Sequence, residues 1–294
     1  IIVAMGSVCE TIKEVIDNLN SNIGLIVVHL YRPFSTKYLL DVIPKTVKSI
    51  AVLDRTKEHG SSGEPLYLDI VSSLNNTDIK IYGGRYGLSS KDTTPADIKA
   101  VYDMLENEPK NNFTIGIVDD VTNLSLNTDK SYKIESSDEL LIYGYGSDGM
   151  VSASKTIIKL IGDNSEKYVQ GYFQYDSKKS GGVTISHLRF SDNKIRAEYY
   201  CQNPKVVVLT KDSYLKEFDL LSKLQENGIF LINTIKTDEE LNSLFTTSTK
   251  KIINEKNIKV YKINAYELAR KNGLSNKIST IMEIVILKLL NLMP

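Results

Sequence analysis

The sequence predicts two α/β domains, each a three-layer arrangement with a mostly parallel sheet covered by helices on both faces. Three observations carry that expectation. Short apolar runs of strand length alternate with stretches whose apolar residues recur at helical spacing, the rhythm of strand–helix–strand crossovers. A segment at 119–138, rich in Asp, Asn, Ser and Thr, interrupts the rhythm, which then restarts. The length, 294 residues, matches two domains of roughly 150 residues each. The expected boundaries are 1–125 and 138–294, with 126–137 as the linker.

In the first domain, residues 1–6 read as a strand, and Val8, Ile12, Val15, Ile16 and Leu19 line one face of a helix. The apolar run 24–30 is a second strand, stopped by Arg32-Pro33 because proline has no N–H for a ladder. Residues 36–47 read as helix and 49–53 as strand. The glycines at 60 and 63 bound a turn, and Pro65 suits the first turn of a helix over 64–74. A strand at 79–82, a turn at Gly83-Gly84, a helix opened by Thr94-Pro95 and a strand at 113–117 complete the domain.

The second domain starts with a strand at 139–143, a helix at 150–161 and a strand at 168–175. Residues 185–190 and 195–200 read as a β-hairpin turning at 191–194. Strands at 206–209 and 229–232 flank a helix at 213–225, and a strand at 258–263 precedes helices at 265–270 and 278–290. Glu283 and Lys288 interrupt the longest apolar stretch, so it reads as a packed helix and not as a bilayer span of about 20 residues.

Charge excludes some functions. Thirty-six basic residues balance 36 acidic ones, which argues against a nucleic-acid surface. Cys9 and Cys201 are too few for a disulfide framework, and His29, His59 and His187 are too scattered for zinc. A reducing, cytoplasmic setting follows as the expectation. The chain opens on a strand-like run at Ile1 without a signal-peptide pattern, and reads as a piece of a longer protein.

Gly144-Tyr145-Gly146-Ser147-Asp148-Gly149 fits G-x-G-x-x-G between a predicted strand and a predicted helix, the context that pattern requires. Its glycines permit positive φ, and the helix N-terminus beyond offers orphan donors to a phosphate. A glycine turn that merely packs helix on strand gives the same pattern. Asp176 stands near the ribose position of a dinucleotide site, yet Lys178 and Lys179 follow it at once. Two lysines suit an extra phosphate, which NADP or coenzyme A would each supply; a solvated turn is the plainer alternative. Other groups are weaker. Asp119 and Asp120 diverge, Lys57-Glu58-His59 reads as an exposed turn, and His187 as a satisfied strand residue. Cys9 reads as structural, and the Arg85 turn suits a domain contact. No nucleophile with its base is visible.

Leu53-Asp54-Arg55-Thr56-Lys57-Glu58, Gly63-Glu64-Pro65-Leu66-Tyr67-Leu68-Asp69, the glycine-rich run 83–91, the turn 144–149, residues 175–182 and Ser186-His187-Leu188-Arg189-Phe190 together resemble the pyruvate:ferredoxin oxidoreductases. Forms fused to an NADP-reducing flavoprotein module look the same here, and the likeness continues to 274–282. The resemblance implies an enzyme that oxidatively decarboxylates pyruvate to acetyl-CoA and CO2. Thiamine diphosphate, Mg and iron–sulfur (4Fe-4S) clusters would lie outside this fragment, and electrons would pass to ferredoxin, flavodoxin or the fused NADP-reductase. Residues 1–125 would be a structural domain similar to the C-terminal domain of transketolase, and 138–294 the gamma-type coenzyme A-binding domain with its inserted hairpin. The fragment alone would be inactive. The full-length enzyme would be a homodimer in the cytoplasm or in a reduced mitochondrion-related organelle.

Position by position, Gly146, Ser147, Asp148, Gly149 and Met150 match the family's coenzyme A loop, and Lys178 matches its phosphate-contacting lysine. Ser279 stands where the family usually has Asn, and His59 where it commonly has Pro. Met150 replaces a usual Thr, which removes a hydroxyl and keeps a backbone N–H. The expectation is a diphosphate over 146–149 with Lys178 neutralising a phosphate. A free-standing NADP-binding α/β protein and a purely structural domain pair stay open as rivals.

Overall fold

A computed structural model describes residues 1–118, 121–176 and 182–291. Contacts divide the chain into two units, Ile1–Ile134 with Arg196–Tyr200, and Glu135–Ile195 with Cys201–Pro294.

In the first unit the alternating crossovers produce β1 (Ile2–Ala4), α1 (Val8–Leu19), β2 (Leu25–Val27), α2 (Thr36–Val42), β3 (Ser49–Asp54), α3 (Pro65–Ser73), β4 (Lys80–Arg85), α4 (Pro95–Glu106) and β5 (Phe113–Thr114). The order is β2-β1-β3-β4-β5, with every pair parallel. Buried parallel strands must be apolar on both faces, and the side chains sort accordingly. Ile2, Ala4, Ala51 and Leu53 pack with Ile12 and Val15 of α1 and Ile98 and Val101 of α4. Val3, Ile50 and Val52 pack with Leu39, Leu66 and Ile70. Thr94 and Asp97 form a reciprocal capping box at the start of α4.

Gly83 and Gly84 do not turn the chain; they continue β4. A Cβ on Gly84 would lie 2.1 Å from the Phe113 ring and one on Gly83 3.0 Å from the Tyr67 ring. These glycines make room for aromatic rings. Arg85 meets Glu64 at 2.6 Å within the same unit. Residues expected to be linker carry packing side chains: Leu126 and Ile134 lie against the first core, and Leu126 N–H donates to the Thr114 carbonyl at 2.9 Å.

The second unit contains β6 (Asp138–Tyr145), α5 (Met150–Asn164), β7 (Tyr168–Tyr175), β8 (Val183–Ser191), β9 (Val206–Leu209), β10 (Ile229–Asn233), α6 (Asp238–Leu244), α7 (Thr247–Glu255), β11 (Lys259–Ile263), α8 (Ala265–Lys271) and α9 (Ser279–Leu290). The order is β11-β10-β9-β6-β8-β7. Strands β6, β9, β10 and β11 are parallel, whereas β8 runs antiparallel to β6 and to β7. Leu140 and Ile142 face α5 and α9. Leu141 and Tyr143 face the opposite layer, which includes Leu221, Leu224 and Leu241.

Three expectations change here. The hairpin pairs β7 with β8, from Tyr168↔Ser191 to Tyr175↔Thr184. Residues 195–200 are not a strand: Tyr199 donates to Glu14 at 2.9 Å and Tyr200 N–H to Asp92 at 3.1 Å, which holds Arg196–Tyr200 in the first unit. The helix expected at 213–225 is a single 3-10 turn, Asp212–Lys216, followed by irregular chain. Its leucines are buried as their spacing implies, but the Asp219 carboxylate takes the Ser222 N–H and Pro204 O takes the Gln225 N–H, so the backbone bonds elsewhere. Helices α6 and α7 were not expected, although Thr237 and Glu240 form a capping box and Thr246 caps α7.

Arg189 is fully buried, its Nε donating to Glu139 at 2.9 Å and its Nη1 to Gln170 at 3.0 Å. The other Glu139 oxygen accepts the N–H groups of Gln202 and Asn203, both at 2.7 Å. His187 Nδ1 accepts from Cys201 N–H at 3.1 Å, so Nε2 donates to Gln174 at 2.7 Å. Burial, with the Arg189 and Lys223 charges, lowers His187 to about 3. It is a satisfied strand residue. No helix among the described residues is long and apolar enough to cross a membrane.

Candidate functional site

Topology selects one edge of the second sheet. From β6 the chain leaves through α5 toward β7 on one side; from β9 it proceeds to β10 and β11 on the other. The carboxyl ends of adjacent parallel strands thus feed connections that diverge, and the crevice at such a switch point is where open α/β sheets take ligands. The segments bordering it are the turn 146–149 after β6 and Thr210-Lys211 after β9.

The turn is held by its own carboxylate. Asp148 Oδ2 accepts from Tyr145 N–H at 2.7 Å and from the Thr210 hydroxyl at 2.7 Å, and Oδ1 accepts from Met150 N–H at 2.9 Å. Gly146 N–H donates to the Gly182 carbonyl at 2.8 Å. Gly149 has φ +83°, and a Cβ there would stand 3.2 Å from Cβ and Oγ of Ser279. Both its dihedral and the approach of α9 require glycine. The Met150 side chain is buried in the core beneath α5.

The structure therefore gathers Gly146, Ser147, Asp148, Gly149, Met150 and Ser279 at one place. Lys178, with Lys179, lies outside the described residues, as do Asp119 and Asp120. The Met150 N–H, matched in sequence to a ligand donor, serves Asp148 instead. The N–H groups of Ser147, Gly149, Val151 and Ser152 meet no acceptor among the described residues. They are the donors this helix end presents to an anion.

Thr210 escapes sequence reasoning, and so does the cavity beside it. A space of about 720 Å³ opens at the carboxyl ends of β9, β10 and β11, bordered by Thr210, Lys211, Asn233, Tyr266, Arg270 and Asn276 among others. Lys211 Nζ sits 4.0 Å from the centre of the Tyr145 ring. Burial and then the Asp148 charge raise the Tyr266 hydroxyl, which puts the braced turn and the cavity in one electrostatic neighbourhood. The only advance signal was a polar residue directly after each apolar strand: Thr210, Asn233-Thr234 and Asn264.

The remaining candidates do not form sites. Burial pushes the Cys9 thiol up to about 11 and pushes Cys201 upward as well, so neither is a ready thiolate. Lys57, Glu58 and His59 are exposed on a turn.

The family model for pyruvate ferredoxin/flavodoxin oxidoreductase matches residues 139–294, and that for pyruvate:ferredoxin oxidoreductase core domain II matches residues 1–98. Across its whole length the chain is 44% identical to the pyruvate-flavodoxin oxidoreductase of Trichormus variabilis and 45% identical to the pyruvate:ferredoxin oxidoreductase of Moorella thermoacetica. It spans 26% of the length of each of those relatives. Among solved structures, the pyruvate oxidoreductase subunit PORC of Thermotoga maritima aligns over 54% of this chain and 80% of that one, at 22% identity and a TM-score of 0.44.

Proposed function

Because the chain belongs to the pyruvate ferredoxin/flavodoxin oxidoreductase family, we propose that it is the coenzyme A-binding part of an enzyme that oxidises pyruvate. The second unit holds coenzyme A and the first is a structural domain. The observation that carries this reading is the turn 146–149, braced by Asp148 at the switch point and bordered by Ser279, with N–H groups of Ser147 and Gly149 left for an anion. A diphosphate there gains backbone donors and the positive end of α5, and Lys178 adds a point charge.

In the whole enzyme the acetyl group of pyruvate passes to the thiol sulfur of coenzyme A, CO2 leaves, and two electrons go to ferredoxin, flavodoxin or a fused NADP-reductase module. Thiamine diphosphate supplies the decarboxylation chemistry, and with Mg and the iron–sulfur clusters it belongs to other domains of the same polypeptide. Cys9 and Cys201 are both buried and cannot provide the four thiolates a cluster takes. No group of three or more His, Cys, Asp and Glu among the described residues could hold a metal. On its own the chain turns over no pyruvate. A homodimer of the full-length enzyme, in the cytoplasm or another reducing compartment, completes the proposal; Leu30, Tyr38 and Val42 are exposed apolar side chains available to neighbouring domains.

Calorimetry with coenzyme A and NADPH tests the reading. Coenzyme A binds in preference to NADPH, and Lys178→Ala weakens it by about 1–3 kcal/mol, the cost of a lost charged hydrogen bond. Preference for NADPH, or an unchanged affinity in Lys178→Ala, refutes it.

A further inference from the structure

A sheet edge offers a row of N–H and C=O groups to any strand that meets it, and proteins blunt such edges with short strands or charged side chains. Of the four edges that the two described sheets present, three are blunted. In the first unit the outer strands β2 and β5 have three and two residues, and Ser125 bridges to β5. In the second unit the outer strand β11 carries Lys259 and Lys262. The remaining edge, β7, runs for eight residues from Tyr168 to Tyr175 with no charge and no proline, in unbroken register with β8. Nothing among the described residues pairs with its outer side. Hydrogen-bond alternation identifies the groups on that side. Asp176 N–H donates to the Val183 carbonyl, so even-numbered residues bond β8, and Val169, Gly171, Phe173 and Tyr175 point their backbone groups outward. Gly171, whose surface is all backbone, is exposed, and Tyr168, Tyr172 and Tyr175 are each more than half exposed.

The sequence of this edge selects its partner. Two copies of one strand related by a two-fold axis perpendicular to the sheet pair antiparallel, and each residue keeps its own face. With the axis at Tyr172, Val169 stands opposite Tyr175 of the second copy and Gly171 opposite Phe173, so every outward N–H and C=O of these four residues is satisfied. Tyr172 then meets Tyr172 of the second copy as a non-hydrogen-bonded pair, the closest side-chain approach in an antiparallel ladder and a favourable aromatic pairing. Gln170 stands opposite Gln174, and no like charges meet because the strand has none. A foreign strand would use the backbone groups without bringing this register. We infer that β7 is a pairing edge for a second copy of this chain, joining two six-stranded sheets into one across a two-fold axis at Tyr172. An isologous contact of this kind closes at two copies, and the lysines of β11 keep the far edge unpaired. The inference stands on the edge alone and does not depend on the coenzyme A reading.

Sedimentation of the whole 294-residue chain, from low micromolar to near-millimolar concentration, reads the assembly. The chain passes from monomer to dimer and stops there, and amide exchange at Val169, Gly171, Phe173 and Tyr175 slows at concentrations that hold the dimer. Tyr172→Lys sets two ammonium groups against each other at the axis and weakens the dimer at least tenfold, and Tyr172→Glu does the same with two carboxylates. Mixing the two variants restores association between unlike chains, which shows that both are folded and that residue 172 meets its own copy. Tyr261→Lys, at an exposed position on β11, changes the dimer less than twofold. A chain that stays monomeric throughout overturns the inference. So does a dimer indifferent to Tyr172→Lys, a mixture of the two variants that fails to associate, a dimer that Tyr261→Lys disrupts, or growth beyond two copies.

Discussion

Replacing Asp148 by alanine removes three hydrogen bonds at once: those from Tyr145 N–H, Met150 N–H and the Thr210 hydroxyl. Each is accepted by a carboxylate, yet Asp148 is only half-buried, so water replaces part of what is lost. At about 1 kcal/mol net per bond the substitution costs about 3 kcal/mol. Thr210→Val removes one of the three and costs about 1 kcal/mol. Because that bond is shared, the double variant costs about 3 kcal/mol, and the cycle yields a coupling of about 1 kcal/mol. Urea unfolding followed by circular dichroism measures all four species. Binding provides a second arm with opposite signs for two ideas. If Asp148 holds the turn, Asp148→Ala weakens coenzyme A; if its charge merely repels phosphate, the same variant tightens it. Additive costs in the cycle, or tighter binding in Asp148→Ala, would refute the brace.

Three further outcomes follow from buried groups. His187 sits at about 3 instead of 6.5, so the unfolded chain takes up a proton as pH falls through 6.5 while the folded chain does not. Stability is full above pH 6.5 and declines by about 1.4 kcal/mol per unit below it, and His187→Gln flattens that slope between pH 7 and 5 in urea titrations. A thiol reagent at pH 8 labels neither Cys9 nor Cys201 in the folded chain and both in urea, because burial raises both thiols. Glu139→Ala leaves the Arg189 guanidinium buried without its carboxylate and costs about 3–5 kcal/mol by denaturant unfolding, whereas an effect under 1 kcal/mol would show that the pair is dispensable.

The elements that sequence reasoning located are those whose pattern is local. Ile2–Ala4, Ile50–Leu53 and Val206–Leu209 are apolar on both faces because two helical layers cover them, and a run of that length has few other readings. The loop 144–149 was equally legible, since strand, glycines and helix are contiguous. Misreadings arose where distant partners decide. Residues 195–200 have strand-like alternation, but Glu14 and Asp92 capture them. Residues 213–225 have helical spacing, but Asp219 and Pro204 take backbone donors. The cavity was illegible for the same reason: Thr210, Asn233, Tyr266 and Arg270 stand at or beyond the ends of three different strands and meet only through the sheet order.

That order also explains why one sheet carries the proposed site and the other does not. In the first unit β1 leads through α1 to β2, while β3 leads to β4 and β5, so its carboxyl edge has a switch point too. The groups on the β3–β4 side of that edge are committed to their own unit. Asp54 accepts the Leu66 and Tyr67 N–H groups at 3.1 Å each, occupying the helix end that an anion would need. The adjoining cation, Arg85, is held by Glu64 and the Asn112 carbonyl. In the second unit the equivalent carboxylate, Asp148, bonds the turn that precedes α5 and takes one donor from the helix itself, that of Met150. The next donors, and the cations Lys211 and Arg270, stay available. The two edges therefore use their carboxylates differently: Asp54 takes the Leu66 and Tyr67 N–H groups of α3, whereas Asp148 takes only the Met150 N–H of α5.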